Sequence, residues 1–376
     1  MNVLDRLIPV LYNAMQVISR ELIGIIPACR TDMGGQQVAK GQILRIPVTP
    51  PAENQDIIFG TPPVLTGDEF GDIELEMTKF RIGKPIVWNG EEEMGVGDKR
   101  RQLFLDQVTQ RMRSLANEME ADVCFEAATG AKGGVYGIAG TTPFATADMK
   151  DFAQLVKIHN DIGSPQFGRQ LVINTTAAAN LRNHNVLFKV NEAGTGELLR
   201  QGIIGQLYGF NIRESGGFRT FTPTGSGYTI NGAHVLGADK ILVENGTGIV
   251  RKGSIITIAG DPTMYIVTED FAGTAGYINI SPRLKAVPAG GAAITILDAF
   301  LPNVAFTSDA VLLAARVPAM PEGGDDADDV QVVSDPVSGL SFQVAAYGGY
   351  RQRRIEIGAA WGVKTVNPQH SVILLG

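Results

Sequence analysis

Between residues 98 and 129, Leu105, Val108, Met112, Leu115, Met119 and Val123 recur at steps of three and four. That spacing is one apolar stripe of an α-helix. No proline or glycine interrupts it before Gly130, so it predicts a helix on the order of 45 Å long, with Gly130 as its left-handed C′ residue. Its charges are segregated. Lys99, Arg100, Arg101, Arg111 and Arg113 fall in the first half, opposed there by Asp106 alone, and Glu118, Glu120, Asp122 and Glu126 in the second. This order runs against the helix macrodipole, which favours acids first and bases last. Acids from elsewhere are expected to neutralise the basic end, either Glu91, Glu92 and Glu93 just upstream or groups on another chain.

The segments before the helix lack evident partners. Leu4, Leu7, Ile8, Leu11, Met15, Ile18 and Leu22 form an amphipathic stripe that predicts a helix from about residue 8 or 9 to 23, ended by Gly24 and Pro27. It reads as structure and not as a signal peptide. Next, "KGQILRIPVTPP" and "IELEMTKFRIGKPIVW" alternate apolar and polar residues around a polar, turn-rich stretch. They predict two strands joined by a long excursion, which needs a partner to pack against.

Residues 131–215 read as mixed α/β. A helix follows Thr146 or Asp148, then comes a short buried strand at "RQLVIN" and a helix capped near Asn174 or Thr175. Residues 216–302 contain strand runs such as "KILVEN", "SIITIAG" and "GYINISPRL", separated by close turn signals with no helix between them. That is the pattern of a small all-β barrel or sandwich, inserted between mixed stretches. From 303 the chain continues through "NVAFTSDAVLLAARVP" and an acidic loop to long strands at the C-terminal end. The fold class expected is α+β.

Composition narrows the function. Forty-five glycines in 376 residues suit many turns. The charge sum is 32 − 39 = −7, so the whole chain is not a general polyanion binder. Two cysteines, Cys29 and Cys124, cannot build a disulfide scaffold or a cysteine-cluster zinc site, and they suit a reducing cytoplasm. His159, His184, His234 and His370 show no ligand spacing and support no nucleophile–histidine pairing. "GTGIVRKGS" lacks the Gly-Lys-Ser/Thr order of a phosphate loop, and "GTGELL" lacks the third glycine of a dinucleotide loop. Glu322 with Asp325, Asp326, Asp328 and Asp329 lacks calcium-loop spacing and reads as a solvated acidic loop. No run of 18 apolar residues predicts a membrane-spanning helix. No catalytic residue, cofactor or metal is expected. Arg351 and Arg353 are read as sharing one strand face, with Arg354 on the other, available to phosphates or to acids of an adjoining chain.

The order of these segments resembles the major coat proteins of tailed bacteriophages. Within them it is similar to the P-twenty-two-type subfamily of the Hong Kong 97 capsid fold, which carries an inserted β domain. The resemblance rests on "GQILRIPV", the return through "ELEMTKFRIGKPIVWNGEEEMGV", the helix "QVTQRMRSLANEMEADVCFEAATGA", the β-rich insert, "NVAFTSDAVLLAARVP" and "RRIEIGAAWGVKTVNPQHSVIL". It implies an N-terminal arm at 1–30 and a peripheral domain at 31–130, with an extended loop at about 41–75 and a spine helix at 98–129. It further implies the first part of an axial domain at 131–216, the insert at 217–302, and the remainder of the axial and peripheral domains at 303–376.

The function so implied is a non-enzymatic major capsid protein that self-assembles into an icosahedral shell around double-stranded DNA. Its expected partners are copies of itself in pentamers and hexamers, a scaffolding protein and portal during assembly, and loosely held DNA, with no membrane. The expected location is the virion, after assembly in the host bacterial cytoplasm. Lys99, Arg100, Arg101, Glu91, Glu92, Glu93, Arg351 and Arg353 are the expected subunit-interface residues. The rival readings are a tail or decoration component and, more remotely, a soluble enzyme with a glycine-rich loop.

Overall fold

The computed structural model describes residues 24–48, 56–57, 59–60, 71–96, 100–146, 149–183, 205–321, 324–334 and 340–376, with backbone alone at 33–36 and 100–101. The expected N-terminal helix, most of the outer excursion, Lys99 and Glu322 lie outside these residues.

A short helix α1 (Gly90–Val96) precedes the long helix α2 (Arg100–Thr129). The predicted stripe is buried: Val108, Met112, Met119 and Val123 have no exposed surface and Leu115 has 3%. Leu105 is only partly covered, and Phe104 takes the inner place at that turn. A seven-stranded sheet lies against the stripe. Its main path runs β1 (Arg30–Val38), β17 (Val311–Pro318), β20 (Gln352–Thr365), β19 (Ser341–Gly349), β18 (Ala327–Ser334). The strands β4 (Lys79–Ile82) and β5 (Ile86–Asn89) also pair with β20. Ile355, Ile357, Ala359 and Trp361 alternate along β20 toward α2, as a strand buried on both faces requires. Gly130 is not left-handed, against expectation. It is required instead by close approach: a Cβ there would lie 2.3 Å from Thr365 Oγ1 and 2.8 Å from the Glu126 carbonyl oxygen.

The other face of this sheet carries the stem of the excursion. Strands β2 (Ile43–Val48) and β3 (Gly71–Glu76) form an antiparallel pair. Leu75 and Met77 are fully buried against Leu312, Ala314 and Ala360, with Leu44 and Ile46 partly covered beside them. The stem therefore has a core on its own chain, which corrects the expectation that 41–75 would have none.

A second, mixed sheet runs β6 (Gly134–Tyr136), β21 (Ser371–Leu375), β16 (Pro302–Thr307), β7 (Arg169–Ile173), β9 (Phe210–Glu214), β8 (Gln206–Leu207). Leu171, Ile173 and Ala305 pack with Phe152 and Leu155 of α3 (Lys150–Asp161) and Ala177 and Leu181 of α4 (Thr175–Arg182). The alternate residues Val172, Val304 and Phe306 join the α2 cluster instead. Asn174 caps α4 as expected, accepting the Ala177 N–H at 2.8 Å. Met149 stands at the cap of α3 without a side-chain bond, and of the expected cap residues Asp148 lies outside the described residues. β17, from the "DAVLLAARVP" segment, is bonded into the seven-stranded sheet between β1 and β20.

A third sheet runs β10 (Thr229–Ile230), β11 (Lys240–Glu244), β14 (Gly276–Ser281), β13 (Met264–Val267), β12 (Ile255–Ile258), β15 (Ile294–Ile296). It closes on itself. Thr229 bridges Ala293, and the N–H groups of Ile230 and Ile294 reach the carbonyls of Ala292 and Tyr228 at 2.9 Å. Ile230, Ile241, Val243, Ile256, Tyr265, Val267 and Ile278 fill its interior. Ile255 and Ile266 point outward and pack on Ile373 and Leu375 of the mixed sheet. β21 is thereby shared between two cores, because its even positions Val372 and Leu374 face α3 and α4.

Candidate assembly surface

One end of the seven-stranded sheet gathers charges of both signs. β5 pairs with β20 in a register that sets Asn89 opposite Gln352 and Trp88 opposite Arg353. Asn89 then caps α1. Its Oδ1 accepts the Glu92 N–H at 2.8 Å, and Glu92 Oε2 accepts the Asn89 N–H at 3.1 Å. This reciprocal pair places Glu91, Glu92 and Glu93 in the first turn, where the helix dipole favours them. Glu92 is thus occupied by the cap. The register of β5 on β20 brings the start of α1, with Glu91, to the same end of the sheet as Gln352 and Arg353.

The β19–β20 connection places the arginines differently from the expectation. Gly349 pairs with Gln352, so Tyr350 and Arg351 form the loop. Arg351 has φ +54°, a left-handed turn conformation. It does not share a strand face with Arg353. Arg353 and Arg354 occupy successive positions of β20. The Arg354 guanidinium lies 4.7 Å from the Tyr347 ring centroid, and its Nε is 3.0 Å from Glu356 Oε1. Among the described residues neither Arg351 nor Arg353 has an ion-pair partner, and both are exposed. The acidic loop reaches the same end. Asp325 accepts the Ala327 N–H at 3.0 Å and the Tyr347 hydroxyl at 2.7 Å. Burial and the bond to Asp325 push the Tyr347 phenol up to about 12. Large apolar side chains that the sequence reading passed over stand nearby: Met94 is 85% exposed and Tyr350 91%.

The acidic half of α2 is neutralised within the chain. Glu118 Oε1 lies 2.9 Å from Arg81 Nε and 3.7 Å from Lys79 Nζ. Asp122 accepts the indole N–H of Trp361 at 2.9 Å and lies 3.6 Å from Lys79 Nζ. Glu120 accepts the Ser215 hydroxyl at 2.6 Å, and Glu126 lies 3.6 Å from Lys252 Nζ of the β12 approach. The expectation of acids from elsewhere concerns the other, basic end. Of the basic end, Lys99 lies outside the described residues and the Arg100 and Arg101 side chains are not described.

Beyond the stem, Ile57 and Phe59 are 89% and 96% exposed. A signal was present in the sequence, since these apolar residues interrupt an otherwise polar, proline-flanked stretch. A groove of about 690 Å³ runs along the outer side of α2, with Phe125, Glu118, Lys79, Arg219 and Phe221 among its walls. Nothing in it assembles a nucleophile with a base. Burial raises the pKa of both thiols, Cys29 above the ordinary range and Cys124 to about 12, so neither supplies a thiolate near neutral pH. Among the described residues no group of three His, Cys, Asp or Glu could hold a metal ion, and no helix is long and apolar enough to cross a membrane.

No family model matches the chain, and no curated protein matches it. Among solved structures it is similar to one titled Mycobacterium phage Che8, at 15% identity over 89% of this chain and 85% of that one, with a TM-score of 0.47. It is similar to the capsid of cyanophage P-SCSP1u at 12% identity, covering 93% and 86%, with a TM-score of 0.46. It is also similar to the mature capsid of bacteriophage PhiM1 at 10% identity, covering 92% and 85%, with a TM-score of 0.46. At these values the likeness assigns no function to this chain.

Proposed function

We propose that this chain is a major capsid protein of the Hong Kong 97 type, self-assembling into a closed shell around double-stranded DNA, with residues 217–302 as its inserted β domain. The observation that carries the reading is the excursion. Its stem is held rigidly by Leu75 and Met77, while Ile57 and Phe59 stand almost fully in solvent. Large apolar side chains projected on an anchored stem favour burial against another molecule. The end of the seven-stranded sheet supports the same reading. It offers exposed Arg351 and Arg353, without ion-pair partners among the described residues, on the same end of the sheet as Glu91 and the acidic loop, a surface complementary to its own copy.

In this reading the partners are other copies in five- and six-fold groups, a scaffolding protein and portal during assembly, and the packaged DNA. The location is the virion, after assembly in the host cytoplasm, and no enzymatic step is involved. Electron microscopy of the expressed chain, with sedimentation, tests the reading. Closed shells are expected. Tubes would favour a tail component, and a monomer at every concentration and salt would overturn assembly as the function.

A further inference from the structure

The interface between α3 and the mixed sheet contains a polar cluster that the assembly reading does not use. His159 of α3 has no exposed surface, and neither ring nitrogen makes a hydrogen bond of good geometry; the Ala305 backbone of β16 is its one polar neighbour that favours the protonated ring, and it is outweighed by burial. Its ring meets Phe210 of β9 edge-on, with centroids 5.4 Å apart. Arg169 at the start of β7 is also buried, at 3% exposure. Its guanidinium donates to the carbonyls of Pro165 at 2.7 Å and Ser164 at 2.8 Å and to Asn160 Oδ1 at 2.9 Å. Thr307, the register partner of Arg169 on β16, has a buried hydroxyl without a partner, as does Ser164. Among the described residues, the charged or titratable groups facing His159 are Arg169 on β7 and His370 in the turn before β21. That set holds no carboxylate.

We propose that His159 is an acid-operated release between α3 and the mixed sheet: once it takes a proton, two buried cations share an interface with no anion, and α3 separates. Most buried polar groups in folded proteins are paired, so several unpaired ones around one titratable ring mark a site where stability has been set aside. Burial first, and then the Arg169 charge, hold the imidazole neutral down to about pH 4, against an ordinary value of 6.5. The sign follows. The closed form binds fewer protons than the open form, so the stability of closure is complete above 6.5 and falls as the pH drops toward 4. The opening equilibrium should rise on the order of a hundredfold across that window. Release would expose Phe152 and Leu155, which are fully buried in the closed form.

Hydrogen exchange on the full chain, corrected for the intrinsic effect of pH, tests this. Amides of 150–161 should exchange at least tenfold faster at pH 4 than at 6.5, relative to the strands of the closed barrel. His159→Gln and His159→Phe should remove that difference. An unchanged wild type, or variants that accelerate as much as the wild type, would overturn the proposal. Should both variants fail to fold, NMR titration of the wild-type imidazole decides. A midpoint well below 6.5 that coincides with loss of α3 protection supports it, and an ordinary midpoint with α3 protection unchanged overturns it.

Discussion

Gly362 lies so close beneath Leu75 that a Cβ on the glycine would stand 2.8 Å from Leu75 Cδ2 and 2.5 Å from the carbonyl oxygen of Glu76. The leucine tip can rotate away, but the carbonyl belongs to β3 and cannot. This contact seats the excursion stem on β20. Gly362→Ala should therefore cost about 1–3 kcal/mol, the range for overpacking a tight core. Denaturant unfolding measures the cost, and faster exchange in 71–77 should localise it. A stability equal to that of the parent would mean that the stem is not seated on this sheet.

Asp122 and Glu118 are one helical turn apart on α2 and both meet Lys79, yet they should respond differently to truncation. Glu118 pairs with partly exposed cations, and such pairs are worth under about 1 kcal/mol. Asp122 also accepts the indole N–H of Trp361, which is fully buried. Asp122→Ala strands that donor at a cost of about 1–3 kcal/mol, whereas Asp122→Asn keeps an acceptor and should recover most of it. The thermal melts of the three variants give the ordering directly. Equal losses for Asp122→Ala and Glu118→Ala would show that the indole bond contributes nothing.

The barrel closes its own backbone ring and fills its own interior, which is the basis for predicting that residues 217–302 fold alone. Excision exposes Ile255 and Ile266, whose outward faces pack on Ile373 and Leu375 in the whole chain. The fragment should therefore melt cooperatively but at a lower temperature than the same region within the chain. A fragment with random-coil NMR shifts and no transition would refute the boundary. Gly253 provides a second check. It has φ +87°, and a Cβ there would approach Thr129 Cγ2 to 3.0 Å. Gly253→Val should loosen the barrel's seat on α2 while the barrel core stays formed.

The sequence carried local periods well and distant partners poorly. Val108, Met112, Met119 and Val123 announce α2 because a helix is written in steps of three and four. The barrel strands are legible for the same reason, with turns marking each end. The neutralisation of α2 is not legible. Glu118 is met by Arg81, 37 residues earlier, and Glu126 by Lys252, 126 residues later across the barrel junction. No spacing rule connects such pairs. The pairing of Arg351 with Arg353 failed for a local reason: alternation holds only within a strand, and Tyr350 with Arg351 turns the chain. Gly130 looked like a helix stop and is one, but for its closeness to Thr365 on β20 and not for its φ.

Arg351 and Arg353 are exposed and have no ion-pair partner among the described residues, and β5 brings α1, whose first turn holds Glu91, to the same end of the sheet. Plain solvation would leave these charges without consequence, since exposed pairs are worth little inside one chain. Between copies the case differs, because each contact repeats around the assembly and charge placement sets encounter rate and register. The double variant Arg351→Glu and Arg353→Glu should melt within about 0.5 kcal/mol of the parent, as surface changes usually do. Its assembly, followed by light scattering, should be slowed or lost, and added salt should weaken parent assembly in the same direction. Adding Glu91→Arg to the double variant should restore part of the rate if the acid of one copy meets the arginines of the next. A double variant that assembles as fast as the parent would mean that this end faces solvent in whatever the chain builds.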